Sequence, residues 1–140
     1  MINLGGNVLC LGEGPDGEPF RVGLQAPFED HNVAAAIMAV DDSSMVVSGV
    51  YERHFEIDGV NYHHILNPKT GWPYENGLVA VTIFSPESVD GDGLSTTCFS
   101  LGLEKGLELI ESLDGIYGVF QTEEGEMIYS EGAEALVLEE

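Results

Sequence analysis

Basic residues are scarce in this sequence. Its 140 residues include four Lys and Arg against 25 Asp and Glu, so the formal net charge is −21 at pH 7 and the isoelectric point is near 4.1. Nucleic acids and anionic membrane surfaces are bound mainly through Lys and Arg. The composition therefore predicts no nucleic-acid partner, and it indicates a solvated, mutually repelling acidic surface.

Cysteines and long apolar runs are scarce as well. Cys10 and Cys98 are the two cysteines, and they lack the Cys-x-x-Cys spacing of redox or metal sites. Each lies in a short apolar segment, so we expect two buried free thiols that do not identify a compartment. No apolar run approaches the roughly 18 residues of a membrane span, and no secretion signal follows Met1. Nothing resembles a Walker A loop, so this type of ATP chemistry is not indicated.

Apolar residues nevertheless make up 44% of the chain, which is enough for one domain or part of one to bury a core. Short apolar segments bounded by turn residues predict strands in most of the sequence, and the clearest pair is a hairpin turned at Asp58-Gly59. Residues 90–113 predict a helix in two pieces, interrupted near Gly102. We therefore predict an α+β fold with a largely antiparallel sheet, formed by residues 1–140 as a single or partial domain.

An acid and a hydroxyl four residues apart stand out in the run Asp92-Gly93-Leu94-Ser95-Thr96. Near the start of a helix, this spacing puts Asp92 and Thr96 on one face, where their hard oxygen atoms suit Mg²⁺. An ion held by so few protein groups keeps positions for water and for substrate phosphates. By spacing alone, however, a helix-capping Asp and a surface Thr are the commoner outcome.

A second polar group lies upstream in Tyr62-His63-His64-Ile65-Leu66-Asn67-Pro68-Lys69-Thr70-Gly71. Strand alternation places His63 and His64 on opposite faces, and a histidine on a strand is more often structural than catalytic. The residues from Pro68 to Gly71 predict a tight turn, in which Gly71 adopts positive φ and Lys69 is available to a phosphate.

These segments resemble the ApbE family, the flavin transferases that move FMN from FAD onto a threonine or serine of a target flavoprotein. The resemblance also includes Ile2-Asn3-Leu4-Gly5-Gly6-Asn7, Gly49-Val50-Tyr51-Glu52-Arg53 and Leu101-Gly102-Leu103-Glu104-Lys105-Gly106. It covers nearly the whole chain, which corresponds to the C-terminal half of a longer family member. It implies Mg²⁺ as cofactor, FAD as substrate, AMP as the second product, and a flavoprotein with a Thr or Ser site as acceptor.

The resemblance also implies roles for individual residues. Asp92 and Thr96 take the positions of metal ligands. His64 aligns with the histidine of the family's His-Ile-Asp-Pro-Lys/Arg-Thr-Gly motif, and it is the implied catalytic residue beside the FAD pyrophosphate. Asn67 replaces the commoner Asp of that motif; this removes a charge, although an amide still makes turn hydrogen bonds. The implied cofactor-binding set is Gly5, Gly6, Asn7, His64, Ile65, Leu66, Asn67, Lys69 and Thr70.

In the family, the stretch from Gly5 to Asn7 lies beside the flavin on a central strand. Three alternatives to flavin transfer stay open: a non-catalytic FAD- or metal-binding fragment, a pyrophosphatase that converts FAD to FMN and AMP, and a folded interaction module without a ligand. Absence of the N-terminal half predicts an exposed edge strand, and hence self-association or a complementing N-terminal half. For location, the resemblance implies the bacterial cell envelope, by export or membrane association.

Overall fold

The computed structural model describes residues 1–29 and 33–138. Its helices are α1 (Ser88–Leu101) and α2 (Leu103–Glu111), with a 3₁₀ turn at Ala133–Leu136. In chain order, its strands are β1 (Ile2–Asn3), β2 (Asn7–Leu9), β3 (Phe20–Gln25), β4 (Ala34–Val40), β5 (Ser44–Gly49), β6 (His54–Ile57), β7 (Val60–His63), β8 (Leu78–Ser85), β9 (Tyr117–Thr122), β10 (Met127–Tyr129) and β11 (Val137–Leu138).

The strands form three antiparallel sheets. The main sheet has six strands in the spatial order β1-β2-β5-β8-β9-β10, and a second sheet has the order β11-β4-β3. Strands β6 and β7 pair only with each other in the described structure, as a separate hairpin. The predicted α+β fold with a largely antiparallel sheet is confirmed, because every pairing between these strands is antiparallel and the two helices follow one another in the chain.

Strand β8 lies inside the main sheet and is buried at all eight of its positions. Val81 and Ile83 pack in one core cluster with Phe99 of α1, whereas Phe84 packs in another cluster with Met38 of β4. The main sheet is therefore the middle layer of three, with the helices on one face and the smaller sheet on the other.

The predicted interruption of the helix is confirmed at Gly102. Its φ of +81° lies in the left-handed region, and its N–H donates to the carbonyl oxygens of the last turn of α1, which ends that helix. Helix α1 begins at Ser88, slightly before the predicted start, and α2 ends at Glu111 rather than at Leu113. One face of α1 is buried, and its residues recur with helical spacing: Gly91, Ser95, Cys98 and Phe99.

Three smaller expectations have clear outcomes. The hairpin turn is at Asp58-Gly59, where both φ angles are positive, as a two-residue type I′ turn requires. Cys10 and Cys98 are buried free thiols, and burial raises the pKa of Cys98 to about 11, so this thiol stays protonated and unreactive. Neither helix in the described ranges is long and apolar enough to cross a membrane.

Candidate functional site

A polar cleft of about 210 Å³ opens where helix α1, the end of β5 and the residues flanking the β6–β7 hairpin meet. It gathers segments that are far apart in the sequence. Six of the residues singled out from the sequence line it: Gly5, Gly6, Asn7, His64, Asp92 and Thr96. The structure therefore brings the helix face, the second histidine and the glycine pair to one place.

Asp92 and Thr96 lie one turn apart on α1, and both side chains are exposed at the cleft. The N-cap of the helix is Glu87, so the capping alternative for Asp92 is wrong. The hydroxyl of Thr96 lies 3.0 Å from Oγ of Ser48 on β5, which ties the helix to the sheet at this point. The position of both side chains is thus set by the packing of α1 on the main sheet.

The glycine pair makes the turn between β1 and β2. Gly5 and Gly6 have φ of +75° and +87°, and a Cβ at Gly6 would lie 3.3 Å from Cγ1 of Val47. The N–H of Val47 donates to the Gly6 carbonyl at 2.7 Å, and the Asn7 amide oxygen accepts from the Ser88 hydroxyl at 2.7 Å. In the described structure, these residues lie at one edge of the main sheet, where β1 is the outer strand.

The two neighbouring histidines have opposite environments, as strand alternation predicts. His64 is exposed, and its Nδ1 lies 3.3 Å from the carbonyl oxygen of Arg53. A carbonyl only accepts, so Nδ1 carries the proton and Nε2 of the neutral ring is the basic nitrogen. His63 is buried, its Nε2 donates to the Tyr74 carbonyl at 3.0 Å, and its ring packs edge-on to Phe99. Burial is the main cause that lowers the pKa of His63.

Five predicted cofactor-binding residues do not line this cleft, namely Ile65, Leu66, Asn67, Lys69 and Thr70. Ile65 alternates with His64 and is buried in the core. Asn67 shapes the following turn: its side-chain oxygen accepts from the Lys69 N–H at 3.0 Å, and its carbonyl accepts from the Gly71 N–H at 2.8 Å. Gly71 has φ of +76°, as predicted. A contact between these five residues and a cofactor stays a prediction.

Three polar side chains that line the cleft are given no role by the sequence patterns: Ser48, Glu52 and Arg53. The last two lie in one of the segments that carry the family resemblance. Arg53 had a usable signal, since it is one of four basic residues in an acidic chain and directly precedes the hairpin. Ser48 had none. It lies within a strand, and only the packing of α1 against β5 brings its hydroxyl to Thr96.

The charges in the cleft do not favour an anion by themselves. The carboxylates of Glu52 and Asp92 outnumber the guanidinium of Arg53 among its lining side chains. Within residues 1–29 and 33–138, no group of three or more His, Cys, Asp and Glu is placed to hold a metal. The Asp92 carboxylate and the Thr96 hydroxyl are nevertheless hard oxygen ligands, which fit a Mg²⁺ ion that takes its other oxygens from a phosphate and from water.

A second cavity of about 390 Å³ adjoins the cleft, and the two share Gly6, Val47 and Glu52 as lining residues. Tyr51 also lines this cavity, and its buried hydroxyl has no hydrogen-bond partner among the described residues. Burial raises the pKa of Tyr51 to about 12, so the hydroxyl keeps its proton. A buried O–H without a partner is costly to the folded state.

Residues 1–120 match the ApbE family. The chain belongs to this family, which confirms the resemblance drawn from the cleft residues and their motifs.

Individual relatives support the same family membership. The chain is 42% identical to the FAD:protein FMN transferase of Klebsiella pneumoniae, over 93% of this chain and 39% of that protein. For the protein of the same name from Treponema pallidum, the identity is 39%, over 86% of this chain and 35% of that protein. The solved structure of the ApbE protein of Thermotoga maritima superposes with a TM-score of 0.84 at 32% identity, covering 96% of this chain and 43% of that one. The chain therefore spans less than half the length of these relatives.

Proposed function

We propose that this chain provides the metal- and phosphate-binding part of an FAD:protein FMN transferase. One observation carries the proposal: His64, Asp92 and Thr96 line the same cleft as the Gly5-Gly6 turn. A histidine base, two hard oxygen ligands and a closely approachable backbone are the groups that phosphoryl transfer from a dinucleotide requires. The names of the relatives supply the substrate class, since they are called FAD:protein FMN transferases.

In this proposal, the FAD pyrophosphate lies in the cleft and one ring system of FAD extends into the adjoining cavity. The cleft of about 210 Å³ is smaller than the roughly 300–1,000 Å³ of typical small-molecule sites, so it has room for only part of FAD. The second cavity supplies the remaining space next to Gly6, where the lack of a side chain lets a ligand approach the backbone.

Asp92 and Thr96 are the residues that would hold Mg²⁺. Bound there, the ion would neutralise negative charge on the phosphate oxygens of FAD. The proposal accounts for the acidic character of the cleft, since carboxylates that repel a bare pyrophosphate attract a divalent cation. Arg53 also lines the cleft and supplies a permanent positive charge from the protein.

The proposed reaction joins FMN to the acceptor through a phosphoester bond. The hydroxyl oxygen of the acceptor Thr or Ser bonds to the FMN-side phosphorus, the bond from this phosphorus to the bridging oxygen breaks, and AMP leaves with that oxygen. His64 accepts the hydroxyl proton on Nε2, while the Arg53 carbonyl holds the proton on Nδ1. With water in place of the acceptor, the same steps give FMN and AMP by hydrolysis.

The experiment is an AMP-release assay on the purified chain with FAD and Mg²⁺, with and without a flavoprotein that carries a Thr or Ser site. Release that depends on the acceptor supports transfer, and release without it supports hydrolysis. Retained FAD without any release indicates a binding fragment. His64→Ala should abolish release, whereas His54→Ala is the matched control, because His54 is an exposed hairpin histidine whose Nδ1 also contacts a backbone carbonyl, that of Tyr51.

The assembly of the active protein is a further part of the proposal. Strand β1 is one of the two outer strands of the main sheet in the described structure. Ile2 within it and Leu4 just after it are 50% and 76% exposed. We expect this edge to pair with a second copy or with a complementing N-terminal half. A monodisperse monomer in solution scattering, with no change on addition of such a half, would contradict the expectation. The envelope location stays a prediction.

A further inference from the structure

Three hydroxyls meet where helix α1 crosses β5. Oγ of Ser48 lies 2.8 Å from Oγ of Ser95 and 3.0 Å from Oγ1 of Thr96. Ser95 is fully buried, Ser48 is half-buried, and Thr96 is exposed at the cleft. The group therefore runs from the core to the side chain that would bind the cation, and the proposed reaction assigns no role to Ser48.

The proton order in this group follows from its inner end. Oγ of Ser95 lies 3.2 Å from the backbone carbonyl oxygen of Asp92, and a carbonyl can only accept. Ser95 has one hydroxyl proton, so it must accept the proton of Ser48. Ser48 has then used its own proton and must accept that of Thr96. The order of donation is Thr96 to Ser48, Ser48 to Ser95, and Ser95 to Asp92.

We infer that Ser48 is a positioning residue for the metal site. By accepting the Thr96 proton, it turns that proton away from the cleft and leaves lone pairs of Thr96 Oγ1 free for a cation. The inference rests on the proposed function, because it concerns how Thr96 serves as a ligand. This series of hydrogen bonds starts at the side chain of Thr96 and ends at the backbone carbonyl of Asp92, so it also links the two proposed ligands.

Two neighbouring hydroxyls on α1 differ from that of Thr96. The Thr97 hydroxyl donates to the Gly93 carbonyl at 2.8 Å, and the Ser100 hydroxyl donates to the Thr96 carbonyl at 2.9 Å. Such bonds to the preceding turn are the usual outcome for Ser and Thr within a helix. The Thr96 side chain instead bonds across to β5, and this contact limits its rotation about χ1.

Ser44 provides a matched control on the same strand. It lies four residues before Ser48 on β5, and so on the same face of the strand. Its hydroxyl also lies 3.1 Å from that of a serine of another element, Ser85. Ser44 is buried and does not line the cleft. Loss of its hydroxyl removes a similar buried hydrogen bond without touching the hydroxyl group at the metal site.

The test is calorimetric titration of Mg²⁺ into the FAD-saturated chain, with a blank titration into FAD alone. Ser48→Ala should raise the Mg²⁺ dissociation constant about 10-fold or more, since residues that support metal ligands commonly have effects of that size. Ser48→Thr, which keeps the hydroxyl, should restore binding, and Ser44→Ala should leave it unchanged. Melting temperatures of all variants separate loss of binding from loss of the fold.

The other outcomes overturn either the role of Ser48 alone or the metal site as a whole. Equal Mg²⁺ affinity in Ser48→Ala and the unsubstituted chain overturns the role of Ser48 and leaves the metal site standing. So does an equal loss in Ser44→Ala, or a failure of a folded Ser48→Thr to restore binding. No Mg²⁺ binding by the unsubstituted chain with FAD overturns the metal site of the proposed function, and the role of Ser48 with it.

Discussion

The two walls of the cleft differ in how the rest of the molecule holds them. The metal wall, made of β5 and α1, is part of the core: a Cβ on Gly91 of α1 would lie 2.8 Å from the Val46 side chain of β5. The histidine wall, made of Glu52, Arg53 and His64, lies at the base of a hairpin whose strand β6 is exposed throughout. Core packing therefore holds the proposed metal ligands in place. The proposed catalytic histidine, His64, is held instead by hydrogen bonds to the backbone of Arg53, next to an exposed hairpin.

Phe99 joins helix α1 of the metal wall to the hairpin that carries the histidine wall, and its loss should have the largest effect on stability. It is fully buried on α1, and its ring meets the edge of the His63 ring at a centroid distance of 5.9 Å. Phe99→Ala should lower the free energy of unfolding by about 3–5 kcal/mol, because it leaves a cavity between the helix and the hairpin. Chemical denaturation measures the change. A loss under about 1 kcal/mol, the typical effect of a single substitution, would show that the walls are not joined there.

A pair of glycines on α1 tests the close packing of the metal wall. Gly91→Ala should destabilise the protein by about 1–3 kcal/mol, since the new methyl group would lie 2.8 Å from Val46 and 2.9 Å from Ser85. Gly93→Ala is the matched control on the same helix: its Cβ meets nothing within 4 Å. This change should stabilise the helix by about 0.5–1 kcal/mol. Thermal unfolding of both variants should show shifts of opposite sign, and equal shifts would contradict the packing described.

The buried histidine of the hairpin predicts a pH dependence. Burial holds the pKa of His63 below its ordinary value of 6.5, so at lower pH the unfolded chain takes up a proton that the folded chain resists. This difference in pKa contributes stability that is present above pH 6.5 and is lost as the pH falls through the pKa of His63 in the folded chain. For one proton, the loss is at most about 1.4 kcal/mol per pH unit. His63→Gln should flatten this part of the profile, because it removes the buried group that titrates. An unchanged slope in His63→Gln would refute the assignment.

The smallest effect is expected at the exposed face of the hairpin. Phe55 is 59% exposed, and its main aromatic contact is a stacked ring, that of Tyr62, at 5.3 Å. Phe55→Ala should cost no more than about 1 kcal/mol, against about 3–5 kcal/mol for the same substitution at Phe99. Denaturation curves recorded side by side test the contrast directly. Equal losses would mean that the hairpin is as much a part of the core as the helix.

Features set by local sequence could be predicted. The helix break at Gly102 and the turn at Asp58-Gly59 require positive φ, which glycine tolerates best, so short motifs identify them. The pairing of Asp92 with Thr96 follows from the helical repeat. The opposite environments of the two adjacent histidines follow from the strand repeat in the same way.

Features set by long-range packing could not be predicted. Ser48 and Thr96 are 48 residues apart, and no pattern near either one indicates their contact. The hairpin shows the same limit. Apolar and polar residues alternate in its strands, for example Phe55, Glu56 and Ile57, but alternation does not say which face is buried. The structure exposes Phe55 and Ile57 and buries His63. The strand order, which puts Gly5-Gly6 near the sheet edge, depends likewise on the whole assembly of strands.

The central claim is that the cleft binds the FAD pyrophosphate through a metal held by Asp92 and Thr96. Calorimetric titration of FAD into the purified chain, with and without Mg²⁺, tests it most directly, with Asp92→Asn as the variant that keeps the side-chain shape and removes the charge. The account predicts that Mg²⁺ strengthens FAD binding in the unsubstituted chain and has no effect in Asp92→Asn. FAD binding that is equally strong with and without Mg²⁺, or a Mg²⁺ effect that persists in Asp92→Asn, would contradict it.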